Sequence, residues 1–394
     1  YKGEKYIIFL IFMGRKPILN QICARCVMDT SDSKIVFDEH GVCDHCHNFD
    51  ENIQPNWHPD ERGRQELERL TAEIKAYGRG RQYDCIIGLS GGVDSSYLAY
   101  FAVKEMGLRP LLYSVDTGWN LPVAVQNTKN LIDKLGLQSS HFELKIDQAQ
   151  MMDLQLAYFK SNVPYQDTPQ DHVIFAALYN YAVQHGIKYV LTGGNYSTEC
   201  VREPNEWVYW NDIRQIRDIH KKFGTRSLKG LPMCGMFRHR LYYRYFKGMR
   251  NLRPLNLIPY YKKDVITLLQ REFGWEPYAN KHYESIFTRF YEGYWLPKKF
   301  GYDKRRAHFS SLILTGQKSR EEALAELAMP PYDEALAMQD MDFIVQKLGI
   351  SREAFLELMA QPNKTYKDYK NSFGSIQLAI KIARFFGVER MQYR

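Results

Sequence analysis

The stretch CIIGLSGGVDSSYLAYF, residues 85–101, constrains the fold of this chain more than any other part. An apolar run at 85–89 ends in a serine and two glycines and passes directly into a helix start. Further short apolar runs at 110–115 and 188–192 read as buried parallel strands. Amphipathic stretches near 95–107, 122–136 and 172–186 lie between them and read as helices. Strand and helix in alternation predict an α/β fold, a doubly wound parallel sheet with ligands at the C-terminal ends of its strands.

The loop itself predicts an anion cradle. Gly91 and Gly92 allow a tight turn whose N–H groups point inward, and a helix beginning near Asp94 adds its N-terminal dipole. The hydroxyls of Ser90, Ser95 and Ser96 supply further donors. No Gly-Lys-Ser/Thr ending follows, so the lysine that would neutralise charge in γ-phosphoryl transfer is absent from this motif. A cradle of this kind suits the β- and γ-phosphates of ATP held as one unit. Attack then falls on the α-phosphate, pyrophosphate leaves, and Asp94 is the candidate holder of Mg²⁺.

Upstream, residues 20–50 are rich in Cys, His and Asp and poor in aliphatics, too poor to build a core of their own. Cys23 and Cys26 in CARC, and Cys43 and Cys46 in CDHC, form two Cys-x-x-Cys knuckles separated by sixteen residues. Four thiolates so spaced suit a tetrahedral, structural Zn²⁺. A disulfide pair or an iron–sulfur cluster is the alternative. The organisation expected is a leader at 1–20, a Cys₄ module at 21–57, a connecting helix at 58–80, the nucleotide domain at 81–255 and a mainly helical region at 256–394. Residues 1–12 read as a tag or upstream readthrough, because Met13 opens a plausible start. The apolar run YIIFLIFM (6–13) is too short to span a bilayer and lacks a cleavage site after it, so a cytoplasmic chain with no membrane contact is expected.

The net charge of +8 is concentrated. Between Arg214 and Pro254 twelve Lys/Arg face one acid, Asp218, which leaves the remainder at −3. Such a block, interleaved with aromatics and glycine, marks a surface for an anionic partner, either nucleic acid or a small molecule bearing phosphates and carboxylates. A second dense segment is KHYESIFTRFYEGYWLPKKFGYDKRRAH, 281–308, with seven Lys/Arg, three acids, two His and eight aromatics. Aromatics beside cations predict a ligand site here rather than a merely amphipathic helix.

SGGVDSS after a strand resembles the PP-loop of the N-type ATP pyrophosphatases. By that resemblance Asp116, at the end of LLYSVDTG, contacts the nucleoside, and LTGGNYSTE (191–199) is a second nucleotide loop with Gly193, Asn195 and Glu199 as candidates. From about Ile22 onward the cysteine knuckles, the PP-loop and the 281–308 segment together resemble the N-acetyl sugar amidotransferases of bacterial surface-polysaccharide and flagellin-sugar biosynthesis (WbpG/PseA type). The resemblance implies ATP-dependent conversion of an acetamido group on a nucleotide-activated N-acetyl sugar to an acetamidino group. It also implies ammonia from a separate glutaminase working with a cyclase-like subunit. For that chemistry His282, Glu284 and His308 are the proton-handling candidates, with Glu284 favoured as base. Lys281, Arg289, Lys298, Arg305 and Arg306 are the clamp candidates, and Arg238 and Arg240 either extend the clamp or dock the ammonia-supplying partner. Helical spacing in KHYES would set Lys281, Glu284 and Ser285 on one face. The rival reading is a tRNA-thiolating PP-loop enzyme. It usually needs a cysteine pair in the catalytic domain, where Cys200 and Cys234 stand thirty-four residues apart, so a nucleic-acid partner is not expected.

Overall fold

The computed structural model describes residues 21–208, 212–235, 238–278 and 283–385; the expected leader at 1–20 lies outside them. Their centre is a five-stranded sheet: β1 (Cys85–Gly88), β2 (Pro110–Asp116), β3 (His141–Lys145), β4 (Tyr189–Leu191) and β5 (Arg250–Leu252). The order is β3-β2-β1-β4-β5, and every pairing is parallel. Cys85, Ile86 and Ile87 are wholly buried, as a central parallel strand covered on both faces requires. The helices Val93–Lys104, Pro122–Leu135, Gln148–Ser161 and Thr168–Gln184 connect β1 through β4. β1 lies between β2 and β4, so the chain leaves it in opposite directions and a crevice opens at the C-terminal ends of β1 and β4.

The sequence patterns point to β1, β2 and β4 but not to β3 or β5. β3 reads HFELK and is an edge strand, half in solvent, so it needs no apolar run. β5 reads RNL and is only three residues long, inside the basic stretch. Asp60 caps the connecting helix Glu61–Gly78 by accepting from the N–H groups of Arg62 and Gly63. Ser319 and Glu322 form a reciprocal capping box on Arg320–Ala328, and Ser351 caps Arg352–Ala360.

The C-terminal helices close over an aromatic core. Trp119, Phe159, Phe287, Phe290, Tyr291, Trp295 and Phe355 are all at most 1 % exposed within one cluster. The aromatics of 281–308 are therefore largely core rather than ligand-stacking surfaces, which corrects the ligand-site expectation for them. Each such burial stabilises the fold by about 1.5–3 kcal/mol, and that favours turning the rings inward. The cysteine segment borrows its core in the same way: Cys23, Cys26, Cys43, Cys46 and Phe49 share a cluster with Cys200, Val201, Trp207 and Ala307. Arg320 donates to the carbonyls of Cys23 and Cys26, and Arg306 to that of Val27. Among the described residues no helix is long and apolar enough to cross a membrane.

Candidate active site

The loop after β1 and the loop after β4 meet at the crevice. Gly91 has φ +82°, and a β-carbon there would stand 2.9 Å from the Ala124 carbonyl oxygen, so glycine is required twice over. Ser90 and Ser95 hydroxyls lie 3.1 Å apart, and the Gly92 N–H donates to Ser90 Oγ. Ser96 is wholly buried, whereas Ser90 is exposed and Ser95 half-buried at the mouth of the loop.

Asp94 stands in the first turn of Val93–Lys104. Its Oδ1 accepts from the Tyr260 hydroxyl and, at 3.5 Å, from Asn195 Nδ2. Burial and then the Asp94 charge push the Tyr260 phenol well above its ordinary range, so it remains a donor at any physiological pH. Asn195 also caps Tyr196–Glu199 through its Oδ1 and donates to the Gly193 carbonyl. Its amide thus ties one nucleotide loop to the other. A β-carbon on Gly193 would come within 2.9 Å of the Asp94 backbone carbonyl carbon. Gly193→Ala is expected to separate the loops, costing about 1–3 kcal/mol of stability and weakening ATP binding roughly tenfold. Thermal unfolding and calorimetric titration with ATP check this. Asp116 closes β2, its Oδ1 accepting from the Gly118 N–H at 2.8 Å.

A strap from the C-terminal region lies on the cradle. Tyr278 donates to the Gly91 carbonyl at 3.0 Å, and Glu284 Oε1 lies 3.0 Å from the β-position of Gly92. The strap is anchored by backbone pairing: the Leu121 N–H donates to the Glu284 carbonyl and the Ile286 N–H to that of Trp119, around an antiparallel bridge between Asn120 and Ser285. Ser285 is accordingly an N-cap with φ −118° and ψ 130°, its side chain accepting from Thr288. The shared helical face expected for KHYES is therefore not formed at Glu284 and Ser285, because Glu284 lies in a turn and Ser285 is the extended N-cap of a helix that begins only at Ile286. Lys281 and His282 lie outside the described residues.

Beside the strap lies a cavity of about 810 Å³, with Asn195, Glu199, Arg253, Tyr283, Lys304 and His308 among its walls. His308 sits next to the second nucleotide loop, its Nδ1 3.3 Å from the Thr198 carbonyl. Lys304 is buried between Glu292 at 2.5 Å and Glu203 at 3.3 Å. Burial opposes its charge, but the two carboxylates outweigh that and hold it protonated. Tyr260, Tyr278, Arg253, Lys304, Glu203 and Glu292 were not singled out from sequence. Lys304, Glu292 and Arg253 lie within the two charge-rich segments, but nothing local marks them out from their neighbours there, and Tyr260, Tyr278 and Glu203 belong to neither segment.

The expected clamp residues all have partners within the protein where the structure describes them. Arg289 makes a bidentate pair with Asp340, both bonds at 2.7 Å and its side chain 17 % exposed. Arg305 binds Asp303 and the carbonyls of Glu326 and Met329 but also lines the cavity. Arg306 binds Asp29 and the Val27 carbonyl, and Lys298 lies at the surface near Glu334. These cations hold the fold together because a buried guanidinium requires an anionic or carbonyl partner wherever the chain places it. Arg238 packs over Tyr243 on the helical stretch Arg238–Phe246, away from the cavity walls. The Arg240 side chain lies outside what is described.

The four knuckle cysteines meet. All are fully buried, and their Sγ atoms lie within 4.8 Å of one another, with neighbours at 3.6, 3.7 and 3.8 Å. A tetrahedron with Zn–S bonds of about 2.3 Å has edges of about 3.8 Å, so the donor set fits Zn²⁺. Backbone N–H groups of Arg25, Cys26, Met28 and Cys43 point at the sulfurs, as thiolates require.

A parallel sheet carrying a glycine-serine loop at its switch point, with no P-loop lysine in the motif, defines a PP-loop protein. Residues 66–201 match the NAD synthase family. Residues 284–383 match the family described as LPS biosynthesis protein WbpG-like, C-terminal domain. The chain thus joins an NAD synthase-like PP-loop domain to a WbpG-like C-terminal domain, and the first of these marks an ATP-dependent, ligase-type enzyme. Similar solved structures include NMN synthetase from Francisella tularensis, at 19% identity and a TM-score of 0.31, covering 77% of this chain and 97% of that one. Another is the NH3-dependent NAD synthetase from Campylobacter jejuni subsp. jejuni NCTC 11168 in complex with the nitrate ion, at 15% identity and a TM-score of 0.30, covering 77% of this chain and 98% of that one. No curated protein matches.

Proposed function

We propose that the chain is an amidotransferase that converts the acetamido group of a nucleotide-linked N-acetyl sugar to an acetamidino group, at the expense of ATP and ammonia. The observation that carries this reading is the strap at 283–284. Glu284, the first residue of the WbpG-like domain, lies against the PP-loop, and its neighbour Tyr283 lines the cavity. One short segment therefore joins a nucleotide cradle to a space large enough for a sugar.

In this reading the backbone of Gly91 and Gly92, with Ser90 and Ser95, holds the β- and γ-phosphates. Asp116 reaches toward the nucleoside, and Gly193, Asn195 and Glu199 form the second wall. Asp94 and Glu199, one carboxylate on each loop, are the oxygen donors for Mg²⁺, which would neutralise the departing pyrophosphate. The acetamido oxygen attacks the α-phosphorus and pyrophosphate leaves. Ammonia then attacks the imidate carbon, and AMP departs with the original oxygen. Glu284 takes a proton from the incoming nitrogen, and His308, which lines the cavity, is the alternative. Arg253, beside the second nucleotide loop, joins Arg305 as an anion-binding group of the cavity. Ammonia comes from a glutaminase and cyclase-like pair. The helical stretch Arg238–Phe246, with Tyr245 and Phe246 61% and 77% exposed, is the face assigned to that partner.

The test is product analysis with ATP, ammonium and nucleotide-linked acetamido sugars. AMP, pyrophosphate and a sugar lighter by about one mass unit (oxygen replaced by NH) are expected, and Glu284→Gln should keep ATP and sugar binding but lose about 10²–10⁴ in amidine formation. ADP as product would refute the PP-loop chemistry. Salt-sensitive tRNA binding with sulfur incorporation would instead establish the thiolation reading.

A further inference from the structure

The cysteine module forms part of the cavity itself. Asp32, His45, Asn48 and Asn52 line it together with residues of the C-terminal region. Cys43 is the N-cap of the short helix Asp44–Asn48 and Cys46 lies within it, so two of the four thiolates position this wall. His45 Nε2 and Asp32 Oδ2 are 2.9 Å apart, with Asp32 4% exposed, which ties the loop between the knuckles to the same helix. The module also grips the far side of the cavity. The Ser33 N–H donates to Glu206 Oε1 at 2.7 Å, and Trp207 Nε1 donates to the Ser31 carbonyl at 3.3 Å. Residues 204–208 lie a few residues beyond the second nucleotide loop.

We infer that the metal-held module is a subsite for the hydroxylated part of the acceptor, with the Asn48 and Asn52 carboxamides as its hydrogen-bonding groups. The inference rests on the acceptor reading of the cavity above. Asn48 and Asn52 stand four residues apart, and Asn52 Nδ2 donates to Asn48 Oδ1 at 3.1 Å. That bond orients both amides. Each amide combines an acceptor with two donors, so one internal bond still leaves a pattern that complements neighbouring hydroxyls. Carboxamides do not titrate, so the hydrogen bonds of these two side chains do not change with pH. The metal is what makes the wall rigid: the segment shares a hydrophobic cluster with its neighbours but has few aliphatics of its own.

Two measurements test this on the full-length zinc protein. Asn48→Ala and Asn52→Ala should each raise the acceptor KM roughly tenfold, the loss of one hydrogen bond in a desolvated site. The KM for ATP, the zinc content and the Tm should stay as in wild type. An unchanged acceptor KM with zinc intact overturns the subsite, and so does a rise accompanied by zinc loss and a fallen Tm, which would mark a structural role. The second measurement is hydrogen exchange before and after zinc chelation. Protection at 196–208 should fall while that at 85–96 holds. Unchanged exchange at 196–208, or an equal rise at 85–96, overturns the inference. Product analysis on wild-type protein judges the amidine reading, whereas the exchange experiment judges the metal-held wall whatever the acceptor proves to be.

Discussion

Asp94→Ala is expected to lower pyrophosphate release by at least about a thousandfold, through the loss of a metal-holding carboxylate at the leaving group. Asp94 occupies a junction: it is in the first turn of the helix after the cradle, accepts from Tyr260, and is linked through Asn195 to the second nucleotide loop. Alanine would therefore remove both a charge and a structural tie. Asp94→Asn separates the two, because it keeps the size and one acceptor while removing the charge. The asparagine variant should still bind ATP yet lose nearly as much turnover as the alanine. Tyr260→Phe should be milder, about tenfold, since it removes one neutral donor and leaves the carboxylate. Pyrophosphate release and equilibrium ATP binding measured on the three variants decide the matter. If Asp94→Asn retains half of wild-type turnover, the carboxylate has no part in the chemistry.

Removal of zinc should have the largest effect on stability. Freshly purified protein is expected to contain one zinc per chain, and Cys43→Ser to lose it. Metal binding by a Cys₄ segment is folding free energy, of order 10 kcal/mol for isolated modules. Part of that will be retained here, because Cys200, Val201, Trp207 and Ala307 pack against the same cluster. The damage should begin in residues 21–57 and pass to those neighbours before it reaches the sheet. An early, separate unfolding transition, alongside the zinc content, is the measurement. Absence of zinc from fresh protein would sink the assignment.

What this chain determines by sequence alone is what contiguous residues can encode. A glycine-serine turn needs its neighbours for its conformation and its amides for its ligand, so SGGVDSS is legible as a cradle before any fold is known. Two Cys-x-x-Cys knuckles are legible for the same reason, since four thiolates at that spacing have few other uses. Alternating apolar and amphipathic runs reveal the strands that are buried on both faces, and they miss β3 and β5, one a half-exposed edge strand and the other only three residues long. The charged and aromatic segment at 281–308 shows the limit. Composition could not tell which arginine meets a carboxylate fifty-one residues away, as Arg289 meets Asp340, and which cation lines a cavity, as Lys304 does. Nor could it place Glu284 on Gly92, or set Asn48 and His308 around one space. Those outcomes depend on which surfaces the helices bury. Desolvation makes every buried charge take a partner, and the identity of that partner is a property of the packed structure rather than of any local stretch.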